Sequence, residues 1–164
     1  VNDRGAGLLR VEDIEFVADD ARLSSCVTHP HLRSQLCCAL YCLWARGVLR
    51  GEPVPWTSAV TRLRAHLATE PDAELEFHIR PDNPPLGRGS GYVVDSLRSA
   101  RMVLEAGSYE AVVKAAVALG DDTDTTAAIA GLRDGLAAIP GRWRDALRGR
   151  ELLDPILAAL PATS

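Results

Sequence analysis

Apolar positions in this chain recur at helical spacing along most of its length, and alternating strand-like runs are scarce. Val17, Leu23 and Cys26 predict a helix over 17–26 with those residues facing inward. Thr28-His29-Pro30 ends it, because the ring of Pro30 disfavours helical geometry at His29. Leu36, Leu40, Leu43 and Trp44 form the stripe of a longer helix over 32–48, with Gly47 and Gly51 marking its end. Val60, Leu63 and Leu67 predict another over 57–68. The segment 70–91 is the least regular, with Pro71, Pro81, Pro84 and Pro85 followed by Gly87, Gly89 and Gly91. A connection that long inside one domain is functional or disordered more often than idle.

Helical periodicity returns with Val93, Leu97, Ala100 and Leu104 until Gly107 stops it. Ser108 is placed to cap the next helix, with Glu110 in the first turn and Val112, Val113, Ala116 and Val117 packing inward until Gly120. Asp122 is placed to cap a helix to about 137, with Ile129, Leu132 and Leu136 inward. Two short helices close the chain, one after Pro140 through Trp143 and Leu147, one from Leu152 to Leu160. The sum is a single all-α domain over 1–164, without repeats or a membrane-spanning run.

Composition narrows the class. A net charge of −4, a pI near 5.5 and no basic stretch argue against nucleic acid as the main partner. The N-terminus lacks a signal-peptide pattern, so the expected compartment is the cytoplasm. Cys26, Cys37, Cys38 and Cys42 match neither a zinc clamp nor a disulfide framework, and read as buried small residues. The first residue is Val1 rather than methionine, which raises the expectation of further sequence upstream.

Chemistry concentrates in Gly120-Asp121-Asp122-Thr123-Asp124-Thr125-Thr126. One capping aspartate explains Asp122, but not a second acid at Asp124 followed by two threonines, which are indifferent helix formers. Asp122, Asp124 and Thr125 are hard oxygen donors of the kind Mg²⁺ or Mn²⁺ prefers. The run also satisfies the D-x-D-x-T nucleophile pattern of haloacid-dehalogenase-like phosphotransferases. That chemistry needs a preceding buried strand and a following sheet, and the spacing of 112–119 and the short remainder exclude both.

Four segments in order resemble the ADP-ribosylglycohydrolase family, which includes the dinitrogenase reductase-activating glycohydrolases. Gly5-Ala6-Gly7-Leu8-Leu9-Arg10-Val11 is similar to its G-x-x-x-M-R-V stretch, with Leu9 in place of methionine. Thr28-His29-Pro30-His31 is similar to its T-H-x-H/P turn, and Gly89-Ser90-Gly91-Tyr92-Val93-Val94-Asp95 to a G-x-G-Y-V-x-D element. Residues 120–125 match its G-x-D-T-D-T metal motif, followed by Ile139-Pro140 and Trp143.

The resemblance covers nearly all of this chain but only the C-terminal portion of a typical member. It implies an all-α orthogonal bundle and a dinuclear Mg²⁺ or Mn²⁺ site at which ADP-ribose is cleaved from a modified protein side chain. Carried over by position, Asp122, Asp124 and Thr125 are metal ligands. His29 lies beside the ribose or phosphates, and Ser90, Gly91 and Tyr92 line the ADP-ribose cleft. The family's first acidic cluster, S/T-D-D-T, and its water-assisting acid have no counterpart here; Asp19-Asp20 lacks the flanking threonines. The chain is also about four residues shorter between Gly131 and Ile139, slightly more than one helical turn. The leading expectation is therefore a metal-dependent ADP-ribosyl hydrolase whose site is completed by an upstream segment or a partner chain. Two other readings stay open: a non-catalytic relative that binds ADP-ribose or a protein, and a truncated reading frame.

Overall fold

The computed structural model describes residues 14–67, 73–131 and 136–159, and every regular element among them is helical. The first glycine-rich stretch, residues 5–11, lies outside them. In order the elements are α1 (Ile14–Cys26), α2 (Leu32–Leu49), α3 (Pro55–Leu67), a π-helix (Glu74–Ile79), α4 (Val93–Val103), α5 (Tyr109–Ala118), α6 (Thr123–Ala130), α7 (Gly141–Asp145) and α8 (Arg150–Ala159). Short 3₁₀ turns occupy Leu104–Ala106 and Leu136–Ala138. The all-α expectation is met. None of these helices is long and apolar enough to cross a membrane.

Two apolar clusters organise the helices, and α4 belongs to both. The larger joins Leu36, Leu40, Leu43 and Trp44 of α2 to Val60 and Leu63 of α3, Leu75 and Ile79 of the π-helix, and Val94 and Leu97 of α4. The smaller joins Ala100 and Val103, further along α4, to Val112 and Ala116 of α5 and Ala130 of α6. A groove between the two helix groups follows from this arrangement.

Several inward faces differ from the sequence expectation. In α1, among residues 17–26, the buried ones are Ala18, Ala21 and Ser25, whereas Leu23 is 67% exposed and Cys26 is exposed. Positions 18, 21 and 25 share one face at 3.6 residues per turn, and their small side chains let α1 lie close against α2. Val17 packs against the core as expected, while Leu23 and Cys26 were the misleading signals. Gly47 is not at the end of α2 but buried within it, where an added Cβ would sit 3.0 Å from the Pro55 side chain. Val117 of α5 is exposed. Helix α6 ends at Ala130 with Gly131 as its cap, and Leu136 lies in a 3₁₀ turn rather than a continuous helix to 137. Leu132 lies outside the described residues. The predicted cap at Ser108 is present, its Oγ accepting from Ala111 N at 3.3 Å.

All four cysteines are free. Burial pushes the Cys37 thiol up to about 12, which leaves it an inert packing residue.

Within the described part of the proline- and glycine-rich segment, Glu74–Ile79 form the π-helix, and the carbonyls of His78, Ile79 and Pro81 are held from α3 and α4. The Arg98 guanidinium donates to the carbonyls of His78 (2.6 Å) and Ile79 (2.9 Å). The Pro81 carbonyl accepts from both Trp56 Nε1 and Arg101 Nη1 at 3.0 Å, and Arg101 stacks over the Trp56 ring at 4.3 Å. These contacts route the chain toward the loop that carries Gly87–Tyr92.

A candidate cleft between the two helix groups

The loop 87–92 is held to α4 by side chains that leave it little freedom. Asp95 accepts from Arg88 N (3.1 Å), Ser90 N (2.8 Å) and Ser90 Oγ (2.8 Å). Ser99 Oγ accepts from Gly89 N at 2.9 Å, and Ser96 Oγ donates to the carbonyl of Ser90 at 2.9 Å. Partial burial works against a charged Asp95, but the hydrogen bonds from Ser90 and Arg88 outweigh it and hold the carboxyl below its usual range. Asp95→Asn is expected to cost about 1.5–3 kcal/mol, the scale of hydrogen bonds to a charged acceptor. Because the folded pKa is depressed, this contribution is fully present above the unfolded value of about 4 and fades as pH falls through the folded value. Thermal melting at neutral pH should show the full gap between wild type and variant, and the gap should close in acid.

The same loop abuts the acidic turn. Asp122 N donates to the Gly89 carbonyl at 2.9 Å, and a Cβ on Gly91 would lie 3.0 Å from Asp122 Oδ2. Gly120 and Asp121 both adopt left-handed geometry (φ 77° and 54°), which reverses the chain from α5 into α6. Asp122 occupies the capping position of α6, yet its side chain makes no capping hydrogen bond. Its carboxylate is therefore not consumed by the helix end, contrary to the capping role the sequence suggests. Asp124 is exposed in the first turn, Thr125 is half-buried, and Thr126 is fully buried with its Oγ1 unpartnered among the described residues.

Opposite this turn, the α1–α2 connection is fixed from both sides. Ser25 Oγ donates to the His29 carbonyl (3.1 Å), and Gln35 Nε2 donates to the Pro30 carbonyl (2.8 Å). His29 Nδ1 lies 3.0 Å from Thr28 Oγ1. His31 caps α2, its Nδ1 accepting from Arg33 N at 3.1 Å, which places the remaining ring proton of the neutral imidazole on Nε2.

Between these walls runs a cleft of about 640 Å³. It brings together His29 and Thr28 of the histidine turn, Gly91 and Tyr92 of the loop, and Thr125 of α6. Of the residues singled out from sequence, Asp122 and Asp124 flank it without lining it. Ser90 is at the loop but its hydroxyl is spent on Asp95. Sequence reasoning did not single out Arg33 and assigned His31 no role of its own; both line the cleft. Arg33 Nε donates to Glu74 Oε2 and its Nη1 to the Tyr92 hydroxyl, both at 2.6 Å. These two hydrogen bonds, Glu74 first, hold the guanidinium firmly protonated. The sequence signal available for Arg33 was a cation in the first turn of a helix, where the dipole disfavours it.

Asp122, Asp124 and Thr125 suit a hard cation by donor chemistry, and the uncommitted Asp122 carboxylate is the observation that favours it. They do not make up a two-cation site. Among the described residues no group of three or more histidine, cysteine, aspartate or glutamate side chains is arranged to hold a metal ion.

By fold and cleft this is an all-helical protein carrying a groove between two packed helix groups. The sequence model for ADP-ribosylglycohydrolases matches residues 5–163, and the chain belongs to that family of hydrolases. No curated protein and no solved structure matches it.

Proposed function

We propose that the protein hydrolyses the glycosidic bond joining ADP-ribose to a modified protein side chain, in a reaction dependent on Mg²⁺ or Mn²⁺. The observation that carries this reading is the shared cleft. Three segments far apart in sequence, around residues 29, 91 and 125, meet at one groove of about 640 Å³, inside the usual ligand-pocket range of roughly 300–1,000 Å³.

In this reading Asp122, Asp124 and Thr125 hold the cation, which when bound supplies Lewis acidity for ribose hydroxyls and water. Gly91 has no side chain, so the loop backbone can approach the diphosphate closely. Ser90 acts indirectly, its hydroxyl and amide tying the loop to Asp95. Tyr92, half exposed at the groove, covers a sugar or base with its ring, and His29 sits beside the ribose or phosphates. Water bonds to the anomeric carbon as the glycosidic bond breaks, and its proton passes to the departing side chain.

The test is incubation of the purified chain and Mn²⁺ with mono-ADP-ribosylated protein, with free ADP-ribose followed by chromatography. Release that stops on adding a chelator is the expected result. Release unaffected by the chelator would remove the cation from the scheme. Binding of ADP-ribose without release would favour a non-catalytic relative, and neither binding nor release would overturn the reading.

A further inference from the structure

Arg33 is placed against the local electrostatics of its own helix. It lies in the first turn of α2, whose N-terminus carries the positive end of the dipole, and no acidic residue stands in that turn to offset it. Its compensation comes from outside the helix: Glu74 of the π-helix binds Nε, and the Tyr92 hydroxyl from the opposite wall binds Nη1. A cation that opposes its local helix and is held by two distant elements breaks a local rule, the pattern found where function outweighs stability.

Two of its nitrogens are thereby fixed in direction. The third, Nη2, has no partner among the described residues. The cleft that Arg33 lines is also lined by His29, His31, Thr28 and Ser34, and no carboxylate is among the described residues that line it. The His31 tautomer set by its capping bond leaves Nε2–H as a donor. Arg33 is the one arginine or lysine among the described lining residues, set beside hydroxyls, imidazoles and the apolar side chains of Val93 and Ile129, which favours an anionic group at this point of the cleft. With Nε and Nη1 engaged, neither two-nitrogen edge is free for bidentate recognition, and Nη2 remains to donate to a single anionic oxygen such as one of a phosphate.

We propose that Arg33 is an anion-binding residue of this cleft, aimed by Glu74 and Tyr92 so that Nη2 meets a phosphate oxygen of the ligand. This rests on the cleft being the ligand site and adds the residue that recognises the ligand's charge. Glu74 has two opposed effects: it orients the guanidinium, and its charge repels the anion that the guanidinium attracts.

The experiment is calorimetric titration of inorganic pyrophosphate, and separately of ADP-ribose, into wild type, Arg33→Gln and Glu74→Gln, with thermal melting of each. Wild type is expected to bind pyrophosphate, and Arg33→Gln to bind it at least about tenfold more weakly. Glu74→Gln should melt lower yet bind pyrophosphate roughly three- to tenfold more tightly, because a nearby like charge is removed. A purely structural ion pair predicts lower melting in both variants with unchanged pyrophosphate affinity, and that result overturns the proposal. So does a wild type that does not bind pyrophosphate, or a Glu74→Gln variant that loses it. Should Arg33→Gln fail to fold, the sign of the Glu74→Gln change decides alone. Arg33-dependent pyrophosphate binding without ADP-ribose binding would uphold the anion site and refute the proposed substrate. Equal ADP-ribose binding by wild type and Arg33→Gln would do the reverse.

Discussion

Asp122→Ala should lower Mn²⁺ affinity by at least about 100-fold while leaving the melting temperature almost unchanged. The reasoning separates two roles that an aspartate at a helix start can play. A capping aspartate replaced by alanine costs roughly 0.5–2 kcal/mol of stability, because a backbone N–H loses its acceptor. Here the Asp122 side chain accepts no capping hydrogen bond, so that loss does not arise. A metal ligand carries a different penalty. Changing a residue that merely orients a ligand costs roughly 10–100-fold in metal affinity, so removal of a ligand itself belongs at or above the top of that range. Calorimetric titration with Mn²⁺ and thermal melting on the same samples give the two readouts. Unchanged affinity with a melting drop of several degrees would assign Asp122 to the helix end and end the cation reading. Asp124, exposed two residues further on, should show the same sign of effect in an Asp124→Ala variant.

Gly87→Ala should destabilise the fold by about 3 kcal/mol and weaken ligand binding at a distance. A Cβ at Gly87 would lie 2.3 Å from Ser99 Oγ and 2.4 Å from Ser99 Cα and N. Two of those atoms are the backbone of α4, which cannot swing aside as a flexible side chain does. The loop must therefore lift, taking Gly89 away from Ser99 Oγ and Gly91 away from Asp122. For a chain of 164 residues such a loss corresponds to a fall in melting temperature of roughly 6–12 °C. ADP-ribose affinity should fall with it, since the moved segment carries Gly91 and Tyr92. The double variant Gly87→Ala/Ser99→Ala tests the cause. It removes the hydroxyl contact but not the backbone contacts, so it should not recover stability. Recovery would mean that the hydroxyl alone was in the way.

Neither effect is visible in composition or periodicity. Gly87 reads in sequence as one of several loop glycines, and its tight approach to Ser99 exists only once α4 and the loop are packed. Asp122 reads as a helix cap because aspartate is a favoured cap. Only the backbone at φ −86°, ψ 65° leaves its carboxylate without that partner.

What the order of residues determined unaided was the helical class, the position of most helices, and the segments that carry chemistry. Helix formation is largely local, so the stripe of Leu36, Leu40, Leu43 and Trp44 and the cap at Ser108 could be read directly. The ordered motifs around residues 29, 91 and 122–125 were equally legible, because each is a short contiguous run. Tertiary structure alone decided which faces are buried and which residues meet. Ala18 and Ala21 win the inward face of α1 from Leu23 because close approach to α2 rewards small side chains, a property of the partner helix. Arg33, Glu74 and Tyr92 are joined across 41 and 59 positions of chain, and no local pattern encodes contacts at such separations. The groove itself exists because α4 packs into both apolar clusters, which holds the histidine turn and the acidic turn on facing walls.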